Sequence, residues 1–307
     1  MANEVYTTAE TNLTKAQQMT KVREVDFVNL FTHNSLAKLI EVLGVTRKIP
    51  MLEGTTMYVY KTKATSGNPH SGSVPEGEII PLSQYETTKD PIGSITLKKW
   101  RKGVSAEAIQ KSGYNAAVVE TDAALLRDVQ NGIRTDFFTL LNGTITGSVT
   151  ATGVGLQAAL ANAWGKLQIA FEDDTAESVY FVNPADIADY LGTAQITVQT
   201  AFGMNYIENF LGLGTVIITN RVTAGTFIAT AKQNIVMYYL TMNSDIAASF
   251  GLTSDELGYV GIKSGYANEE RAQIESLVMD GIQFFVEYAG GVVKGTITAA
   301  SSTPSTT

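Results

Sequence analysis

Cysteine is absent from this 307-residue chain, so there is no disulfide framework, no thiolate metal site and no thiol nucleophile. Histidine is nearly absent too: His33 and His70 are the only two, and neither has a carboxylate or second imidazole at ligand spacing, so no metal is expected. Charge is scarce at 17% of residues, which predicts a free surface poor in charge. Positive charge is the scarcer sign. With 22 Lys+Arg against 30 Asp+Glu the net charge is −8 and the pI 4.9, which argues against a protein whose main task is gripping nucleic-acid phosphates. No run approaches the ~18 apolar residues of a membrane span, and Met1–Thr8 carries neither a basic flank nor an apolar core of signal-peptide length. A protein made and folded in a cytoplasm, with no membrane partner, is the expectation. What is present is 44% hydrophobic residues and a mean hydropathy of +0.04, enough for a buried core in one large domain or two ordinary ones.

Along the chain, residues 1–24 are polar and aperiodic and read as an extended arm. Between Val25 and Leu43, apolar residues such as Phe27, Leu30, Phe31 and Leu39 fall at roughly helical spacing, predicting a docking helix or two short ones. Met57–Lys63 and Ile92–Trp100 alternate as half-buried strands do and read as the stems of a long hairpin. The Gly-, Ser- and Pro-rich stretch between them, Thr65–Pro91, is far longer than a turn needs, which marks it as functional or disordered. Asn115–Leu141 predicts a helix about 40 Å long, ended at Asn142-Gly143 by residue types that accept a left-handed cap. A second helix spans Leu156–Phe171, and the acidic turn Glu172-Asp173-Asp174 leads into a strand over Ser178–Val182. Asn183-Pro184 then opens a helix to Tyr190. Thr215–Thr219, Thr226–Ala229 and Ile235–Leu240 are strands, and Gln273–Thr298 reads as strands broken by Gly281, Gly290 and Gly291. Residues 301–307 form a small-residue tail.

Features that look catalytic have plainer readings. Gly153-Val-Gly155-Leu-Gln-Ala158 fits the dinucleotide pattern G-x-G-x-x-A, whose glycines admit a pyrophosphate to a helix N-terminus. The preceding residues 144–152 are polar instead of a buried parallel strand, and the acidic residues come before the next strand instead of after it. A helix-entry loop is expected, and a nucleotide-binding enzyme is the remote alternative. Glu76, Glu78, Glu86 and Asp90 cluster in the long loop, where solvated carboxylates are expected instead of an acid/base pair. Lys98, Lys99, Arg101 and Lys102 flank Trp100 in the one basic cluster, too short for a nucleic-acid module and expected to be a protein contact. No nucleophile, base and orienting group can be assembled, so no catalytic residue, cofactor or metal is assigned.

The order of these parts resembles the major capsid proteins of tailed phages, the Hong Kong 97 type fold. The likeness rests on Ser73-Val-Pro-Glu-Gly-Glu-Ile-Ile-Pro81 running to Ile95-Thr-Leu-Lys-Lys-Trp100, then Val104-Ser-Ala-Glu-Ala-Ile109 and the long helix ending Phe137-Phe-Thr-Leu-Leu-Asn-Gly143. In that family an extended loop with an acidic-glycine tip precedes a strand ending in basic residues, a short helix and a spine helix. Phe181-Val-Asn-Pro184 and Gly214-Thr-Val-Ile-Ile-Thr-Asn220 with Gly225 look like strand ends of its axial domain.

That resemblance implies an α+β fold in five parts: an arm and docking helix over 1–53, an extended E-loop over 54–103, a peripheral P-domain from 104–150 and 255–298, an axial A-domain over 151–254, and a tail over 299–307. It implies a shell protein enclosing a phage genome without sequence-specific DNA binding, assembled in the host cytoplasm as hexamers and pentamers and located in the virion. A separate scaffolding protein and a portal would be its partners. The encapsulin nanocompartment shares the fold and is the nearer alternative. Lys61, Lys63, Glu76, Glu78, Lys98, Lys99, Arg101 and Lys102 are then the candidate inter-subunit contacts of the loop. The basic stems would be steered over a neighbour's acidic last segment, which carries Asp255, Glu256, Glu269, Glu270, Glu275, Asp280 and Glu287. Gly132, inside the long helix, is the candidate hinge. Some family members cross-link a loop lysine to an asparagine. Lys61, Lys63, Lys89 and Asn268 would suit, but no feature of the sequence singles them out, and an uncross-linked shell is expected.

Overall fold

Alternation in the first described residues sets down strand β1 (Thr46–Met51), then the hairpin of β2 (Thr56–Ala64) and β3 (Tyr85–Ser94), then β4 (Lys98–Ser105). Ser105 ends β4 and caps helix α1 (Ala106–Ser112), its Oγ accepting from Ala108 N at 3.3 Å. A π-helical turn (Asn115–Val119) runs without a break into the long helix α2 (Glu120–Asn142). Then follow β5 (Val149–Val154), α3 (Gly155–Ala170), β6 (Ser178–Val182) and α4 (Pro184–Leu191). Asn183 caps α4 by accepting from Ala185 N at 2.9 Å, with Pro184 in the first turn. Strands β7 (Gln199–Ala201), β8 (Met204–Ile207), β9 (Thr215–Ile218), β10 (Thr226–Ala231) and β11 (Ile235–Leu240) precede the short helix α5 (Asp245–Phe250). The chain closes through β12 (Thr253–Ser254), β13 (Val260–Asn268), β14 (Gln273–Asp280), β15 (Ile282–Val286) and β16 (Val292–Thr298).

The computed structural model describes residues 46–65, 70, 73–172, 177–192, 198–201, 204–242, 245–254 and 259–298. The arm, the docking helix with His33, the acidic residues Asp173, Asp174, Asp255 and Glu256, and the tail lie outside the described residues.

The centre is a seven-stranded mixed sheet in the order β5-β16-β10-β6-β9-β8-β7. Every residue of β6 is buried, because both faces of this central strand are covered. Val179 and Phe181 pack with the α2 residues Ile133, Phe137, Phe138 and Leu141, while Tyr180 and Val182 pack with Leu156, Ala159, Leu160 and Leu167 of α3. Burial pushes the Tyr180 hydroxyl up to about 12, and it donates to the Leu213 carbonyl at 3.3 Å. A four-stranded antiparallel sheet, β12-β13-β14-β4, and a three-stranded sheet, β1-β11-β15, complete the body. The hairpin β2-β3 is a separate two-stranded sheet.

The structure differs from the sequence reading at four places. The second stem of the hairpin is Tyr85–Ser94, not Ile92–Trp100; β4 crosses into the four-stranded sheet instead. Pro91 conceals β3 from a propensity reading, yet a two-stranded ribbon has free edges that tolerate it, and the pairing skips position 92 beside it as a bulge does. Gly143 leaves α2 with φ −64° and ψ 168°, so the left-handed cap is not used. The ammonium of Lys294 donates to its carbonyl instead, placing a cation at the helix C-terminus. Val149–Val154 is a strand after all, the outer strand of the large sheet and parallel to β16; among the described residues its outer edge faces no further strand, so it needs no buried apolar run. Lastly, β16 lies in the seven-stranded sheet between β5 and β10, although 255–298 is expected with 104–150.

Candidate assembly interface

The β2–β3 hairpin is held together by cross-strand contacts, including Thr62 Oγ1 and Thr87 Oγ1 at 2.7 Å and Lys89 Nζ at 3.7 Å from the centre of the Tyr58 ring. Lys63 stands opposite Glu86, and the backbone of Lys61 pairs with Thr88. His70 N donates to Ser83 Oγ at 3.0 Å across the tip. Beyond the stems, Glu76 and Glu78 are exposed, and beside them Ile79 and Leu82 are each 92% exposed, with Ile80 at 72%. Tyr60 and Tyr85 are exposed on the stems. A lone two-stranded ribbon is marginal in water, and contiguous exposed apolar side chains mark an interaction site. The apolar run Ile79-Ile80-Pro81-Leu82 is an exposed set that reading the loop by charge overlooked; its signal was four apolar residues inside an otherwise Gly- and Ser-rich loop.

The basic cluster does not act as one patch, because strand alternation splits it between two faces. Lys98, Trp100 and Lys102 face α2, whereas Lys99 and Arg101 point the other way. Lys98 pairs with Asp136 at 2.7 Å. Lys102 is ion-paired with Asp122 and donates to Thr121 Oγ1 at 2.6 Å and the Val118 carbonyl at 3.1 Å. Burial pulls the Lys102 ammonium below its ordinary value even with Asp122 raising it. Lys98 and Lys102 therefore tie the chain's own long helix to its own sheet. Arg101 comes within 3.9 Å of Glu275, a residue of the segment expected to attract a neighbour's loop.

Glu275 is buried and accepts from Gln273 Nε2 at 2.7 Å, Asn268 Nδ2 at 2.8 Å and Tyr266 hydroxyl at 2.9 Å. Burial alone would raise its carboxyl; the Asn268 and Gln273 amides, the Tyr266 hydroxyl and Arg101 outweigh it and hold the group below the usual range. Two acids of the last segment are thus engaged within the chain itself, Glu275 by these groups and Glu287 by Arg47 at 3.1 Å, while Glu269 and Glu270 are exposed.

Gly153 and Gly155 open α3 as the dinucleotide pattern requires, but the space beside Gly153 belongs to the chain itself. A Cβ there would sit 2.3 Å from Ala159 N, so this glycine lets strand and helix backbones touch. Glu76, Glu78 and Glu86 lie exposed along the hairpin. Among the described residues no group of carboxylates and histidines could hold a metal ion, and no helix is long and apolar enough to cross a membrane.

No protein-family model matches the sequence, and no curated protein matches it. Solved structures do. A chain of Mycobacterium phage Patience superposes with a TM-score of 0.57 over 97% of this chain and 96% of its own, at 10% identity. The capsid structure of cyanophage P-SCSP1u gives 0.58 over 84% and 87%, at 8% identity. The holo-SrpI encapsulin complex from Synechococcus elongatus gives 0.53 over 92% and 93%, at 12% identity. The chain has the α+β capsid fold of the Hong Kong 97 type.

Proposed function

We propose that the chain is a major capsid protein that assembles into the icosahedral shell around a phage genome and carries out no chemistry. The observation that carries this reading is the hairpin with its exposed Ile79-Ile80-Pro81-Leu82 run, on a chain whose fold matches phage capsid chains over most of its length. Such a ribbon gains little by folding alone and gains a packed face by lying on a second copy. The loop is then residues 54–97, with Lys61, Lys63, Glu76 and Glu78 at its rim, and β4 belongs to the body. Hexamers and pentamers are the expected assemblies, with a separate scaffolding protein and a portal as partners. Net acidity suits a container that must not hold its nucleic acid tightly.

The test is to replace Ile79, Ile80 and Leu82 together by Ser. The variant should keep the wild-type melting temperature as a subunit and yield no closed particles by light scattering and negative-stain microscopy. Normal shells from it would remove the loop from assembly, and a wild-type chain that stays monomeric at high concentration would sink the whole reading. The likeness to the Synechococcus shell favours one second reading, an encapsulin-type compartment. Packaged DNA in particles from the native source selects the phage head, and enclosed protein cargo selects the compartment.

Gly132 is proposed as the point where α2 bends during assembly. It is exposed, and a Cβ there would meet nothing within 4 Å, so it is not a close-packing glycine. Gly132→Ala should therefore stabilise the subunit by about 1 kcal/mol, read as a higher melting temperature. A slower change from precursor to mature particle would support the hinge, and indistinguishable particles would remove it.

A further inference from the structure

Asp280 is 1% exposed, and neither carboxylate oxygen has a hydrogen-bond partner among the described residues. It ends β14, on the same strand face as Val278, which packs into the core under α2. Across β14 stand Lys98 of β4 on one side and apolar Val260 of β13 on the other, and the charged groups acting on it are Lys98 and, from α2, Asp136. Lys98 is committed to Asp136 at 2.7 Å in a half-exposed ion pair. One ammonium thus stands between two carboxylates, one on the sheet and buried, the other on the helix and wet.

We propose that Asp280 is a proton-operated latch between the four-stranded sheet and α2: neutral, it leaves Lys98 bound to Asp136, and ionised, it draws Lys98 away and releases that tie. The direction follows from the surroundings. A charge on Asp280 has no hydrogen bond to support it and sits where the effective dielectric is low, so it competes for the ammonium more strongly than a solvated carboxylate does. Burial, opposed by Lys98 and reinforced by Asp136, pushes the Asp280 carboxyl up to about 7. The folded chain therefore holds a proton that the unfolded chain has released, and the tie is complete below that pH and lost as pH rises through it.

The experiment is hydrogen exchange of amides 132–140 in the full, unassembled chain, expressed as protection factors at pH 6 and pH 8. Wild type should lose about tenfold in protection between them, and Asp280→Asn should lose none. Asp136→Asn should show the weaker value at both pH values. An equal pH dependence in wild type and Asp280→Asn overturns the proposal. Should Asp280→Asn not fold, infrared difference spectra of the wild-type chain decide. A protonated carboxyl band present at pH 6 and gone at pH 8 supports the latch, and its absence at pH 6 overturns it. The readout needs no shell, so its failure leaves the capsid reading intact.

Discussion

Lys102→Ala should cost the folded chain about 3–5 kcal/mol, seen as a lower urea midpoint with an unchanged slope. The ammonium is the shared donor of a buried cluster: it serves Asp122, Thr121 and the Val118 carbonyl, while Ser264 Oγ donates to the other Asp122 oxygen. The Lys102 and Asp122 side chains are only 13% and 7% exposed, so removing one strands the other's charge away from water. The cluster also spans four elements, β4, the π-turn, the first turn of α2, and β13, so its loss frees the start of the long helix from two strands. Asp122→Ala should cost a similar amount. The paired apolar replacement Lys102→Met with Asp122→Leu should recover most of it, because it removes both desolvation penalties together. If Lys102→Ala alone changed stability by under 1 kcal/mol, comparable to a surface ion pair, the cluster would be solvated and this account of it wrong.

Phe137→Ala should be as damaging, at about 3–5 kcal/mol. Phe137 is fully buried where α2 crosses the central sheet, with ring centroids 5.2 Å from Phe138, 5.3 Å from Phe284 and 5.9 Å from Phe181. Those edge-to-face neighbours come from three different elements and cannot all collapse into the vacated space. Phe137→Leu keeps most of the volume and should cost less than about 1.5 kcal/mol. Thermal unfolding of the two variants side by side checks the cavity argument, and equal losses would show that aromatic geometry, not volume, holds this junction.

What the sequence alone determined about this protein is its set of elements. The helical period of Val129, Ile133 and Phe137 specifies α2 and its buried face. The apolar run Ser178–Val182, with Asn183-Pro184 after it, specifies a central strand and a capped helix. Those signals are local, because period, capping and turn chemistry act within a few residues. Tertiary structure alone decided the partners. Nothing near Lys98 or Lys102 in the chain announces Asp136 or Asp122, and strand alternation turned a basic run into two tethers to α2 on one face and two cations, Lys99 and Arg101, on the other. Pro91 hid a hairpin strand because its tolerance depends on whether the strand has a neighbour, which is a property of the sheet. Asp280 reads in the sequence as one more surface acid. It became a buried, unsupported carboxylate only when β4, β14 and α2 closed around it, since the energy of a charge is set by the groups and the solvent around it, and the chain supplies those from residues 98, 136 and 280 at once.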